Sequence, residues 1–148
     1  MRSTLALDNC PAARALDVVG ERWALLVVRE ALAGARRFDE FRDRLRMSEN
    51  TLARRLTELT ASGVLRRTQY SLKPARFEYL LTEQGCALVP VLAALAAWGN
   101  EWTDPDPDLP KPPARPSWLA EDAEDAEVPQ APPGGGRDRL SSVRRHQL

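Results

Sequence analysis

Between Ser48 and Gly63 the chain reads SENTLARRLTELTASG, and its polar side chains are of the types that match nucleic-acid base edges and phosphates. Arginine offers a rigid fork of donors to guanine O6 and N7 or to a phosphate. Asparagine can pair twice with adenine, and threonine brings a methyl and a hydroxyl. Asn50, Thr51, Arg54 and Arg55 are therefore candidate DNA-contacting residues, with Ser48 beside them as the N-cap of a helix. Taken alone, an Arg-Arg pair on a helix is ordinarily solvated surface. What surrounds it decides between the two readings.

Leu52, Leu56 and Leu59 recur at helical spacing and must face a core. At about 100° per residue the opposite side carries Asn50, Arg54 and Thr57, with Thr51 and Arg55 on the flanks and Gly63 as the stop. Arg54 thus becomes the base-reading candidate and Arg55 the phosphate contact. Upstream, RRFDEFRDRL places Phe38, Phe41 and Leu45 on one stripe of a short helix headed by Arg36 and Arg37, which join the DNA-contacting set. A tight link at Arg46 and Met47 makes the pair a helix-turn-helix. Downstream, residues 64–70 and 77–81 read as two strands separated by SLKPAR, a hairpin whose tip carries Lys73 and Arg76. The fold class expected is mainly α with a small β-hairpin, a winged helix-turn-helix. In that fold the helix enters a major groove and the hairpin reaches the backbone or minor groove of double-stranded DNA.

The charge distribution agrees. The formal net charge is zero, yet residues 36–76 hold eleven Lys or Arg against five Asp or Glu. A local basic patch is the electrostatic footprint of a nucleic-acid binder. Nine of the twelve prolines lie beyond residue 103, along with the acidic EDAEDAE run. Such a composition cannot bury enough apolar surface to offset chain entropy, so residues 1–103 are expected as one domain and 104–148 as a disordered tail. Two cysteines are too few for a disulfide framework, and the single histidine, His146, argues against a His-based catalytic or metal site; no cofactor is expected. No apolar run reaches membrane-spanning length and no signal-peptide pattern opens the chain, so a soluble, cytoplasmic protein with no membrane partner is expected.

Helices are expected at 11–19 and 22–32, separated by Gly20, the second apolar on nearly all sides. A last helix over 83–102, capped by Thr82 and kinked at Pro90, carries Leu88, Val91, Leu92, Leu95, Trp98 and Trp102 at helical spacing. Its stripe, widened by Val89, Ala93 and Ala96, exceeds what one domain needs to cover. The expected partner is the same helix, residues 83–102, of a second copy in a two-fold homodimer.

Cys10-Pro11, Leu16, Val19-Gly20, Arg22-Trp23, LLVVREALAGARRFDEFRDRL, LARRLTELTASGVLRR, Tyr70, Pro74, FEYLLTEQG and PVLAALAAWG follow one another in an order that resembles the HxlR-type family of bacterial transcriptional regulators. These are winged-helix proteins related to the MarR group. The resemblance covers about residues 10–99, with Glu21 standing where the family often has a second glycine. It implies a homodimer formed by the N-terminal helix and residues 83–102, with paired recognition helices and wings on a pseudo-palindromic operator; a small molecule or electrophile is the candidate effector. Some members respond to oxidants through the cysteine that Cys10 matches. The local chemistry allows this, because a thiol before Pro11 sits at a helix N-terminus, with Arg14 one turn away. Cys86 reads as packing, with a bridge to Cys10 left open.

The expected function is that of a sequence-specific DNA-binding transcriptional regulator, not an enzyme. The competing reading is a winged-helix module that binds protein instead of DNA; an apolar or acidic exposed helix face would have favoured it. A thiol enzyme built on Cys10 would need a second catalytic group, and the sequence supplies none nearby.

Overall fold

The computed structural model describes residues 9–111, so most of the expected tail lies outside the described residues. Helix α1, Pro11–Val19, starts on its proline, where no intrahelical hydrogen bond is lost and the fixed φ suits a helix. After Gly20, residues 21–23 form a turn, so helix α2 is Ala24–Leu32 and begins two residues later than the apolar pattern suggested. Its Ala24, Val27 and Val28 are buried.

Helix α3, Phe38–Leu45, ends at Arg46, whose left-handed backbone (φ 51°) turns the chain sharply toward Ser48. There the Thr51 backbone N–H donates to Ser48 Oγ and starts helix α4, Glu49–Ala61. Gly63, at φ 84°, releases the chain from α4 in a conformation that a side chain would strain. Leu52, Leu56 and Leu59 meet Phe41, Val27, Val28, Val64 and Leu65 in the core, each at most 2% exposed. At about 1.5–3 kcal/mol per fully buried apolar side chain, this cluster is what holds α2, α3 and α4 together.

The hairpin is longer than its turn residues implied. Strand β1, Leu65–Leu72, pairs antiparallel with β2, Ala75–Leu81, from Leu65 opposite Leu81 to Leu72 opposite Ala75. Of SLKPAR, only Lys73 and Pro74 remain unpaired, joined by a cis peptide bond. Proline at the tip removes no ladder hydrogen bond there, so the strands can run up to it. A register shift between Gln69 and Ser71 leaves Tyr70 bulged out of the ladder. Two contacts fasten the hairpin to the body. The Tyr79 N–H donates to the Arg36 carbonyl at 2.7 Å, and the Thr82 hydroxyl donates to the carbonyls of Gly63 and Val64.

The single kinked helix expected over 83–102 is instead two. Thr82 does cap the first, accepting from the Gly85 N–H, but helix α5 stops at Glu83–Cys86. Helix α6, Val89–Trp102, restarts with Pro90 in its first turn, the position where proline breaks nothing. Helices α1 and α6 pack only lightly against any one other element, and α6 buries Leu92 alone. Residues 103–111 form neither helix nor strand and are exposed. Among the described residues, no helix is long and apolar enough to cross a membrane.

Candidate nucleic-acid interface

On α4, the burial of the leucines turns Asn50, Arg54 and Thr57 outward, and all three are exposed. The Thr57 hydroxyl donates back to the Ala53 carbonyl at 2.9 Å, and Ser48 and Thr51 are joined in the cap, with Ser48 Oγ donating to Thr51 Oγ1 at 2.8 Å. Neither pair is thereby removed from the surface, but their first task is to shape the helix. Asn50 and Arg54 are left as the side chains on that face best suited to a base edge.

Arg55 differs from the expectation. It is not a flank residue open to phosphate but is buried at 8% exposure, its guanidinium held by Glu58 on the same helix and by Glu21 from the α1–α2 turn. Helical spacing placed it at the border of the polar face, where it instead pairs with a carboxylate distant in sequence. It leaves the set of DNA-contacting candidates.

Arg36 and Arg37 are exposed at the head of α3 and serve the hairpin as well. The Arg36 carbonyl takes the Tyr79 N–H, and the Arg37 guanidinium lies over the bulged Tyr70 ring, 4.7 Å from its centre. Lys73 and Arg76 are exposed at the hairpin tip. Three further cations were passed over in the sequence. Arg46 projects from the helix-turn-helix link, and Arg66 and Arg67 are exposed on β1, with Arg67 3.7 Å from the centre of the Phe77 ring. Adjacent arginines on a two-residue period cannot both face a core, and that was the signal available for the second pair. Arg42 is committed elsewhere: hydrogen bonds to Asp43 and Glu49 raise its pKa further.

Cys10 caps α1 from an element apart from this surface. It is exposed, and its thiol pKa is lowered by hydrogen bonding to the backbone N–H of Ala13 first and Ala12 second, rather than by Arg14. Burial pushes the half-buried Cys86 thiol the other way. At a given pH the thiolate is thus concentrated on Cys10.

Residues 18–107 match the family model of the HxlR-like helix-turn-helix. The chain belongs to the HxlR-like family. Cys10 and most of α1 precede the residues matched. This HxlR-like chain is 43% identical over 106 residues to the HTH-type transcriptional regulator Rv3095 of Mycobacterium tuberculosis, covering 72% of this chain and 63% of that one. It therefore spans a little under two thirds of the length of that relative. The HTH-type transcriptional regulator YvaP of Bacillus subtilis is 40% identical over 100 residues, covering 66% of this chain and 93% of its own. Among solved structures, the reduced form of the transcriptional regulator YodB from B. subtilis superposes with a TM-score of 0.56 at 31% identity, covering 66% of this chain and 97% of YodB. YodB is also solved after diamide treatment. The HxlR-like fold described above is thus that of winged-helix transcriptional regulators, with α3 and α4 as the helix-turn-helix and β1–β2 as the wing.

Proposed function

We propose that the chain acts as a homodimeric, sequence-specific regulator of transcription, placing α4 in the major groove of each half of a pseudo-palindromic operator. The wing tip, Lys73 and Arg76, then lies on the adjacent backbone or minor groove, with Arg36 and Arg37 on phosphates. One observation carries the reading: the face of α4 opposite its buried leucines is polar and basic, with Asn50 and Arg54 exposed beside a wing that adds further cations. An apolar face there would have suited a protein partner instead. Residues 1–103 make up the binding unit in this reading and 104–148 an appendage to it.

Titrating the protein onto a duplex selected from random sequence tests the assignment. Arg54→Ala is expected to weaken specific binding by about 1–3 kcal/mol, the size of one base contact, and to relax the preference at one position. Binding should also fall steeply as salt rises, because phosphate contacts release counterions. Unchanged affinity in the variant would remove Arg54 from the reading head.

A second reading, that Cys10 makes the regulator responsive to oxidants or electrophiles, is favoured by its exposure and lowered pKa and by the diamide-treated relative YodB. Because the thiolate is the reacting form, alkylation by iodoacetamide near neutral pH should label Cys10 well before Cys86, and its rate should level off at lower pH than for an ordinary thiol. Diamide should release wild-type protein from its operator and leave Cys10→Ser bound. Equal release from both would exclude Cys10 as the sensor.

A further inference from the structure

We infer that Arg55 is a positioning residue: through Glu21 it ties α4 to the turn joining α1 and α2 and so sets the angle at which Arg54 and Asn50 meet DNA. The inference rests on the DNA-reading role proposed above. Among the described residues, Arg55 is the buried charged side chain, and arginine rarely goes inside unless paired. Its two terminal nitrogens go to different places. Nη1 is bonded to Glu58, three residues along the same helix, while Nη2 lies 3.4 Å from Oε2 of Glu21. The first contact begins and ends on α4 and cannot orient that helix against anything. The second crosses to another element.

The arrangement is poorly explained as a device for stability. Taking a guanidinium out of water is costly, and the Nε of Arg55 is buried with no hydrogen-bond partner, so the desolvation is only partly offset. Both carboxylates remain largely in water, with side chains 62% exposed for Glu21 and 53% for Glu58, which weakens each pair. What the geometry does provide is direction. A planar guanidinium tied to the α1–α2 turn through Glu21 restricts rotation of α4 about its own axis, and the preceding residue, Arg54, points outward from that axis. Recognition side chains must be held to about 0.5 Å to engage a base edge, so a small rotation is enough to matter.

The test uses the full chain, a duplex selected by the wild type from random sequence, and a scrambled duplex of equal length. Glu21→Ala opens no cavity, since its side chain lies mostly in water. It is expected to lower affinity for the selected duplex about tenfold, the size of one side-chain coupling, while affinity for the scrambled duplex stays within about twofold. Glu58→Ala removes the partner within the helix and should leave the ratio of the two affinities unchanged. Glu21→Gln keeps an acceptor for Nη2 and should recover much of the selectivity. Thermal melting of each variant separates a shifted helix from an unfolded chain. Selectivity retained in Glu21→Ala, or lost as fully in Glu58→Ala, overturns the inference while leaving the DNA-reading role intact. A wild type that selects no sequence overturns both.

Discussion

Replacing Leu95 and Trp98 together by glutamate is expected to leave the chain folded but monomeric and to weaken operator binding by about a hundredfold or more. Val91, Leu95, Trp98 and Trp102 fall on one face of α6, and the two tryptophans are 61% and 70% exposed. Large apolar side chains aligned this way on a helix that buries only Leu92 in its own core are what a two-fold partner would cover. Because the substituted positions do not line the core of α2, α3 and α4, the charges should not unfold it. In the proposed dimer, two-fold symmetry places all four carboxylates at the interface, where an unpaired buried charge is strongly unfavourable. The loss of DNA affinity follows from linkage rather than contact. Two tethered reading heads raise each other's effective concentration, a gain on the order of 100- to 10,000-fold that a monomer forfeits. Light scattering and anisotropy on full and half operators measure the two effects separately. A double variant that remains dimeric would move the interface away from this face.

The parts of the fold that were legible in the sequence are those in which a periodic apolar stripe coincides with a local stop or start. Helices α1 and α4 come out as read because Pro11, Ser48 and Gly63 act on their own neighbours, whatever the rest of the chain does. The misreadings occur where distant pairing decides. Lys73 and Pro74 look like the middle of a long loop until Ser71 and Leu72 find Arg76 and Ala75 across the hairpin. The apolar run from Ala87 to Leu92 suggests continuous helix, and only the tertiary geometry places a turn at Ala87 and Leu88 and lets Pro90 begin α6.

The candidate site divides along the same line. Asn50 and Arg54 were legible because exposure on α4 is the complement of three leucines. Arg55 was not, since it is buried and paired with Glu21, which belongs to a different element. The wing cations beyond the tip, Arg66 and Arg67, were within reach of the sequence, because strand alternation cannot turn both inward; the register shift at Tyr70 lies farther along β1. Local chemistry therefore identified the exposed polar face of α4, and long-range contacts determine how that helix is held.

Gly85→Ala is expected to destabilise the domain by about 2–3 kcal/mol and to lower its melting midpoint by roughly 10–20 °C. Gly85 is buried in α5 against the root of the wing. A Cβ there would stand 2.3 Å from the Val64 carbonyl oxygen and 2.8 Å from Leu81 Cδ2, so backbone must move to admit it. The same Val64 oxygen accepts from the Thr82 N–H at 3.2 Å and from its hydroxyl at 3.1 Å, so the displacement pulls on the contacts that fasten the end of α4 to the start of α5. Since small domains hold only about 5–15 kcal/mol in total, this is a large share of the whole. Gly34→Ala makes the comparison: nothing lies within 4 Å of its added methyl, and only the strain of φ 99° remains, roughly 1–2 kcal/mol. If crowding at the wing root is the cause, Gly85→Ala should lose clearly more than Gly34→Ala in denaturant unfolding, and should also weaken DNA binding at temperatures where it is still folded. Equal losses in the two variants would mean that the wing root can open to take a methyl, and that α5 does not hold the hairpin in place.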